Sequence, residues 1–338
     1  MRNYETLKQQ GVKPLNLQRW KVYSLILALG LGSSVAMAQT YPNRPVKLVV
    51  GFAPGGAADY VARSLSETFG RALGQTVIVE NKAGGGSSIA ANIVAKSTPD
   101  GYTILIASPS SISVSPALNP KIGYTAKELS PITKLTASPL VVAANISLGI
   151  NTLQDLIARA KRQPGALNYA TSGNGSAPHL GAALFSQVAG VEMVHIPFKG
   201  GGPAIQSVIA GDTQITFGTP PSVLPMIQAG RLKGLAVTLR DGSALLPGIP
   251  GTREAGVPDY AIEFWYGLFA PANTPAPVIK KLFDAAQTAM ADPKLRAALA
   301  REGTDADISK SSEQFSSFLI EDAKFWVKLV KSAGVTVD

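Results

Sequence analysis

Cysteine is missing from the chain altogether, and histidine occurs twice in 338 residues. Without a thiol there is no disulfide, no thiolate metal site, no cysteine nucleophile and no lipidated cysteine anchor. His179 and His195 stand apart with no cysteine near them, which argues against a transition-metal site. Charge is thin as well: 16% of residues are Asp, Glu, Lys or Arg against 46% hydrophobic, with no charge run. That balance excludes a disordered chain. Lys and Arg outnumber Asp and Glu by 31 to 22, but they are scattered and form no basic–aromatic stripe, so nucleic acid is excluded as a partner. A mild positive excess would instead attract small anions through its long-range field.

Catalytic and nucleotide motifs are absent too. Lys199 precedes its glycines, so no GxxxxGK[ST] phosphate loop is formed, and Gly173-Asn174-Gly175 runs into Ser176-Ala177-Pro178 instead of completing GxGxxG. Neither GxSxG nor SxxK occurs. A Ser–His–acid triad would have to use His179 or His195. No metal ligand set, cofactor motif or catalytic residue is assigned.

The N-terminus reads as a targeting signal. Arg19 and Lys21 precede the apolar run Val22–Val35, and Ala36-Met37-Ala38 follows before Gln39. This is a charged region, a hydrophobic region and an A-x-A cleavage site. The run falls short of the roughly 20 apolar residues that a membrane span needs. Cleavage after Ala38 would remove five basic residues and one acid, taking the net charge from +9 to +5.

The remaining 300 residues suffice for one large domain or two of ordinary size. Apolar strand-like runs alternate with helical periodicity: Val46–Phe52, then a helix with Ala62, Leu65, Phe69 and Leu73 on one face; Thr76–Val79; Thr103–Ala107; Leu140–Ala144, then a helix over Leu153–Arg162. Val194–Ile196, Gln214–Phe217, Lys233–Thr238 and Trp265–Phe269 read as further strands. Asp241–Pro258 reads as an irregular loop; a helix from Leu180 carries Ala183, Leu184 and Val188 on the same face, and the chain ends in helices, the last (Ser312–Lys331) with Phe315, Phe318, Leu319, Phe325 and Leu329 on its apolar face. Ser108–Ser115 reads as a hydroxyl-rich loop. Alternation of this kind predicts an α/β fold with parallel sheet covered by helices.

A strand breaks into a glycine-rich loop at a helix start four times: at Phe52–Asp59, Gly84–Ser88, Ser172–His179 and Phe198–Ala204. Ligands of open α/β sheets sit beyond the carboxyl ends of strands, where such loops lie. Helix N-termini carry unpaired N–H groups and a partial positive charge, which suits an anion. In Tyr169–Leu180, Gly173 and Gly175 allow close backbone approach, and Ser172, Asn174 and Ser176 add hydroxyl and amide groups. An ordinary βα loop in which Ser176 only caps the helix is the other reading. Asp59 either fixes its own loop or meets a ligand ammonium; His179 either holds its loop or serves the site; Lys199 is either a ligand contact or a solvated surface lysine. One of Trp265, Tyr266 and Phe269 could wall a cleft.

Taken in order, YPNRPVKLVVGFAPGGAAD (Tyr41–Asp59), VIVENKAGGGSSIAA (Val77–Ala91), LNYATSGNGSAPHL (Leu167–Leu180), VHIPFKGGGPAI (Val194–Ile205), GLAVT (Gly234–Thr238) and the segment Ala255–Pro271 resemble the Bug-type substrate-binding proteins of tripartite tricarboxylate transporters. The resemblance covers essentially everything after the signal. It implies a two-lobed periplasmic binding protein, type II-like, with two crossover strands (Leu140–Ala144 and Trp265–Phe269) and a ligand cleft between the lobes. One lobe would comprise residues 41–137 and 265–338, the other 138–264. The implied ligand is a small organic carboxylate held by backbone amides, hydroxyls and water: a di- or tricarboxylate, an acidic amino acid or an aromatic carboxylate. By carry-over, Ala53, Pro54, Gly55, Gly56, Asp59, Ser108 and Ser110 would serve from one lobe. Ser172, Gly173, Asn174, Gly175, Ser176, His179, Lys199, Gly200, Gly201, Gly218 and Thr219 would serve from the other. Ala53 stands where relatives often have proline or another small residue, Gly218-Thr219 where many have Asp or Asn, and Phe198 where YKG is commoner. Further implications are a monomer and docking on transporter membrane subunits. The competing readings are a periplasmic hydrolase using Ser176 and His179, and a receptor feeding a sensor kinase.

Overall fold

The structure, a computed structural model, describes residues 41–119 and 121–335; the expected signal sequence and cleavage site lie outside the described residues. In chain order the elements are β1 (Val46–Val50), α1 (Ala57–Leu73), β2 (Val77–Asn81), α2 (Ser88–Ala95), β3 (Thr103–Ala107), α3 (Ser115–Leu118) and β4 (Leu129–Pro139). There follow β5 (Val141–Asn145), α4 (Leu153–Arg162), β6 (Asn168–Thr171), α5 (Ala177–Ala189), β7 (Val194–Pro197), α6 (Gly201–Ala210), β8 (Ile215–Gly218), α7 (Pro220–Gln228) and β9 (Leu232–Val237). The chain closes with β10 (Glu263–Pro271), α8 (Ala276–Met290), α9 (Pro293–Arg301), β11 (Asp305–Ala306) and α10 (Ser312–Ser332).

These elements make two lobes, each built on one sheet. The first sheet has the order β11-β4-β10-β3-β1-β2, the second β7-β6-β8-β5-β9. Neither is purely parallel, which corrects the expectation from strand–helix alternation. β1 lies parallel to β2 and β3, but β10 runs antiparallel to both β3 and β4. In the second sheet β5 runs antiparallel to β8 and β9, while β6 is parallel to β7 and β8. The antiparallel strands β5 and β10 are the ones that begin where the chain passes from one sheet to the other. A strand that arrives this way is under no need of a right-handed helical crossover, so its direction is free.

Two further differences follow from packing. Ser110–Val114 is a π-helical turn continued by α3, where a loop was expected. On α5 the inward face is Leu180, Gly181 and Phe185, whereas Val188 is 36% exposed. A β-carbon on Gly181 would stand 2.4 Å from Leu140 Cδ1, so this glycine lets the helix lie close to the crossing between the sheets.

Thr238 ties the crossings together. Its hydroxyl accepts from the Leu140 N–H at 2.7 Å and donates to the Ile262 carbonyl at 2.6 Å. Its own N–H donates to the Leu140 carbonyl, and the Ile262 N–H donates to the Thr238 carbonyl, both at 2.9 Å. A single fully buried residue therefore staples the chain entering the second lobe to the chain leaving it.

Candidate ligand-binding site

A narrow pocket lies between the lobes. Its volume of about 20 Å³ is room for little more than a water, so an organic ligand requires the lobes to part. The first turns of α1 (Gly56, Ala57, Ala58), α5 (Ala177, Pro178), α6 (Gly201, Ala204) and α7 (Thr219, Ser222) all line it. Each helix start carries about half a positive charge. Their donor strength is unequal, because Pro178, Pro203, Pro220 and Pro221 remove N–H groups from α5, α6 and α7. The α1 start has no proline and keeps its amides.

Seven serine and threonine residues line the pocket, and the structure divides them into two sets. Thr171 is held by His195 Nε2 at 2.6 Å, Thr216 donates to the Ala170 carbonyl at 3.1 Å, and Thr219 and Ser222 share a hydrogen bond of 2.9 Å. Ser108, Ser110 and Ser172 make no side-chain hydrogen bond to any described residue. They remain available to a ligand. Phe52, Ile205, Phe264 and Tyr266 supply the apolar walls. No Asp, Glu, Lys, Arg or His lines the pocket among the described residues. An anion here would be met by neutral donors and helix ends, and its charge would stay unneutralised by any side chain.

Of the residues expected from sequence, Gly56, Ser108, Ser110, Ser172, Gly201, Gly218 and Thr219 line this pocket. Ala53, Pro54, Gly55 and Gly200 lie at its rim, where the lobes touch. The Ala53 N–H donates to the Lys199 carbonyl at 2.9 Å. A β-carbon on Gly200 would meet Ala53 N at 2.8 Å, and one on Gly202 would meet the Pro54 carbonyl oxygen at 2.8 Å. A second contact joins Gly86 to Asn174, whose carbonyl oxygen would be 2.3 Å from a β-carbon. The jaws thus meet backbone against backbone. Lys199 contributes its carbonyl to this seam while its side chain is exposed.

Asp59 takes the loop-fixing role. It accepts from the Gly55 N–H at 3.1 Å, Arg63 Nε at 2.9 Å and Asn81 Nδ2 at 2.9 Å. Burial raises its pKa, and these hydrogen bonds outweigh that effect, leaving the carboxyl below its usual range. Ser176 is fully buried as the N-cap of α5 and accepts the His179 N–H at 3.4 Å. The His179 ring bonds elsewhere: Nδ1 accepts from the Gly175 N–H at 3.1 Å. Ser176 and His179 are therefore not arranged as nucleophile and base. His179, Asn174 and His195 face a separate hollow behind the loop, and Gly173 and Gly175 turn the chain between the two, with φ of 125° and 68°.

Sequence reasoning missed Phe52, Phe264, Ile205, Thr171, Thr216 and Ser222 as lining residues. The period of two along β10 was the available signal: Phe264 and Tyr266 face the pocket, while Trp265 and Phe269 pack with Phe315 on the other side.

Comparison with known proteins places this arrangement. The sequence model of the family described as "Tripartite tricarboxylate transporter family receptor" matches residues 61–335. The chain is 34% identical over 311 residues to protein BugT of Bordetella pertussis, covering 91% of this chain and 95% of the relative. The solved structure of periplasmic binding protein BugD superposes with a TM-score of 0.83 at 32% identity, covering 88% of this chain and 99% of that one. MatC from Rhodopseudomonas palustris, solved with bound malate, gives a TM-score of 0.81 at 29% identity over 86% of this chain and all of the other. These relatives are binding proteins, and no enzyme is among them.

Proposed function

Because the chain belongs to the tripartite tricarboxylate transporter receptor family, of Bug type, we propose that it captures a small organic carboxylate in the periplasm and presents it, lobes closed, to the membrane subunits of such a transporter. The observation that carries this reading is the pocket itself: three uncommitted hydroxyls and the α1 amides face a cavity with no charged wall. Such donors bind a carboxylate without the cost of desolvating a fixed cation. The malate held by MatC supports the same ligand class. The reading includes cleavage after Ala38, a monomer, and a division into residues 41–137 plus 265–338 and residues 138–264. The hinge at Leu140, Thr238 and Ile262 supports that division. Closure about it is of the hinge type.

A thermal-shift panel tests the proposal: malate and other C4 diacids, adipate, citrate, acidic amino acids and aromatic acids, each against its uncharged amide. A ligand at about a hundred times its Kd adds roughly 2.7 kcal/mol, which should raise Tm by several degrees. If no carboxylate moves Tm, or the amides do as well, the ligand class is wrong.

A further inference from the structure

The Thr171–Ser176 loop is held from behind by the chain's two imidazoles, which stack at 3.8 Å between centroids and 14° between planes. His179 Nδ1 must be unprotonated, because the Gly175 N–H that points at it can only donate. His195 Nε2 lies 2.6 Å from the Thr171 hydroxyl, which itself accepts the Gly173 N–H at 3.2 Å. Each ring therefore acts on a different half of one loop. Thr171 and Ser172 from that loop face the ligand pocket. A proton on His179 Nδ1 would end its acceptor role, and a proton on either ring would place a positive charge against its stacked neighbour.

We propose that His179 and His195 are positioning residues that keep this loop in its binding shape only while both rings are neutral, so that proton uptake by the pair loosens the loop and weakens ligand capture. The capture clause rests on the carboxylate reading above; the loop clause does not. Among the described residues, few groups are at hand to offset a proton. The hollow is lined from β6 by Tyr169, from the loop by Asn174, from α5 by Ser186 and Gln187, and from the approach to β7 by Glu192. The end of α10, Ser332–Val335, closes it and brings no charged side chain. Glu192 is exposed, and the Tyr169 hydroxyl is pushed up by burial to about 12, so it stays neutral.

The sign follows from burial. Desolvation, and then the neighbouring His195, hold His179 down to about 3; desolvation holds His195 down to about 4. α10 packs on the first lobe, so opening the lobes withdraws one wall of the hollow and returns the rings toward their ordinary value near 6.5. The shaped loop takes up no proton above about pH 5, whereas the loosened loop gains one as pH falls below about 6.5. Acid thus favours the loosened form, by about tenfold per ring between pH 7.5 and 5.5.

Amide hydrogen exchange of the 171–176 peptide in the unliganded mature chain, corrected for the intrinsic pH dependence, tests this. The wild type should exchange about tenfold faster at pH 5.5 than at 7.5 if one ring takes up a proton, and up to about a hundredfold if both do. The double variant His179→Gln with His195→Gln keeps a neutral hydrogen-bonding group at each position and should exchange slowly at both. His179→Ala should be fast at both. A flat wild-type profile, or a rise shared by the glutamine variant, overturns the proposal. Should the glutamine variant fail to fold, the wild type's two histidine Cε1–H signals decide by NMR: titration of either ring in step with loop exchange supports it, and titration with the loop unmoved overturns it. Failure of every carboxylate to bind would leave these results unaffected and would count against the ligand class alone.

Discussion

Replacing Thr238 by valine tests whether the hinge depends on one hydroxyl. Thr238, Leu140 and Ile262 are 0%, 1% and 4% exposed, so water cannot take over the bonds that are lost. Valine keeps the shape but strands the Leu140 N–H and the Ile262 carbonyl, which sit 2.7 and 2.6 Å from the hydroxyl oxygen. Each stranded group costs about 1–3 kcal/mol, or about 2–6 kcal/mol together. The distances are also too short for a methyl group, which pushes the cost toward the upper end. Serine retains the hydroxyl and loses one methyl, for about 1 kcal/mol. Urea denaturation measures both. With m of about 3 kcal/mol/M the valine variant should lose roughly 1.5–2 M in midpoint, with m unchanged. A valine variant within about 0.5 kcal/mol of wild type, or a serine variant equally damaged, would refute the staple argument.

Three other outcomes are expected. Gly202→Val should weaken carboxylate binding at least tenfold, because its β-carbon meets the Pro54 carbonyl across the seam, while the ligand-free Tm moves by no more than about a degree or two; isothermal titration beside a thermal melt checks the separation. Ser110→Ala should cost about 1–2 kcal/mol of binding with the fold intact, and an unchanged Kd would remove that hydroxyl from the site. The pair Ala53→Cys and Gly200→Cys, placed in a chain with no other cysteine, should crosslink on oxidation and slow ligand release by orders of magnitude; a β-carbon on Gly200 stands 3.1 Å from that of Ala53, slightly under the usual disulfide spacing. Failure to crosslink, read by a mobility shift under non-reducing conditions, would mean that the jaws do not meet there.

Strands with a continuous apolar run were legible: Thr103–Ala107 was read with its true bounds, as was the helix Leu153–Arg162. β4 was not assigned as a strand. Its sequence, LSPITKLTASP, mixes polar residues with Pro131 and Pro139 and shows no run. What makes it a strand is its long pairing with β10, a partner more than a hundred residues away that no local pattern announces. Phe325 reads as part of the apolar face of α10 yet is 46% exposed, with Trp326 fully buried in its place; one position of helical phase separates them. At the site, Ser108, Ser110 and Ser172 could be picked out as hydroxyls at strand ends. Tyr266 is among the three candidates for a cleft wall; the period of two groups Phe264 with it, but Phe52 and Phe264 were not singled out, since an all-apolar strand gives no sign of which face meets a cavity. The roles of Asp59 and His179 were undecidable locally because their partners, Asn81 and His195, come from other elements.

The seam between the jaws has a bearing on how such a receptor can change. Gly55, Gly56, Gly201 and Gly202 bring main chain to main chain, so the fit of the jaws does not depend on which side chains stand behind them. Positions such as Ile205, Thr216 and Phe264 line the pocket and take no part in that seam. Descendants of one gene could therefore diversify their cargo by substitutions in the lining while inheriting the closing movement, and the membrane partner would keep meeting the same closed outline.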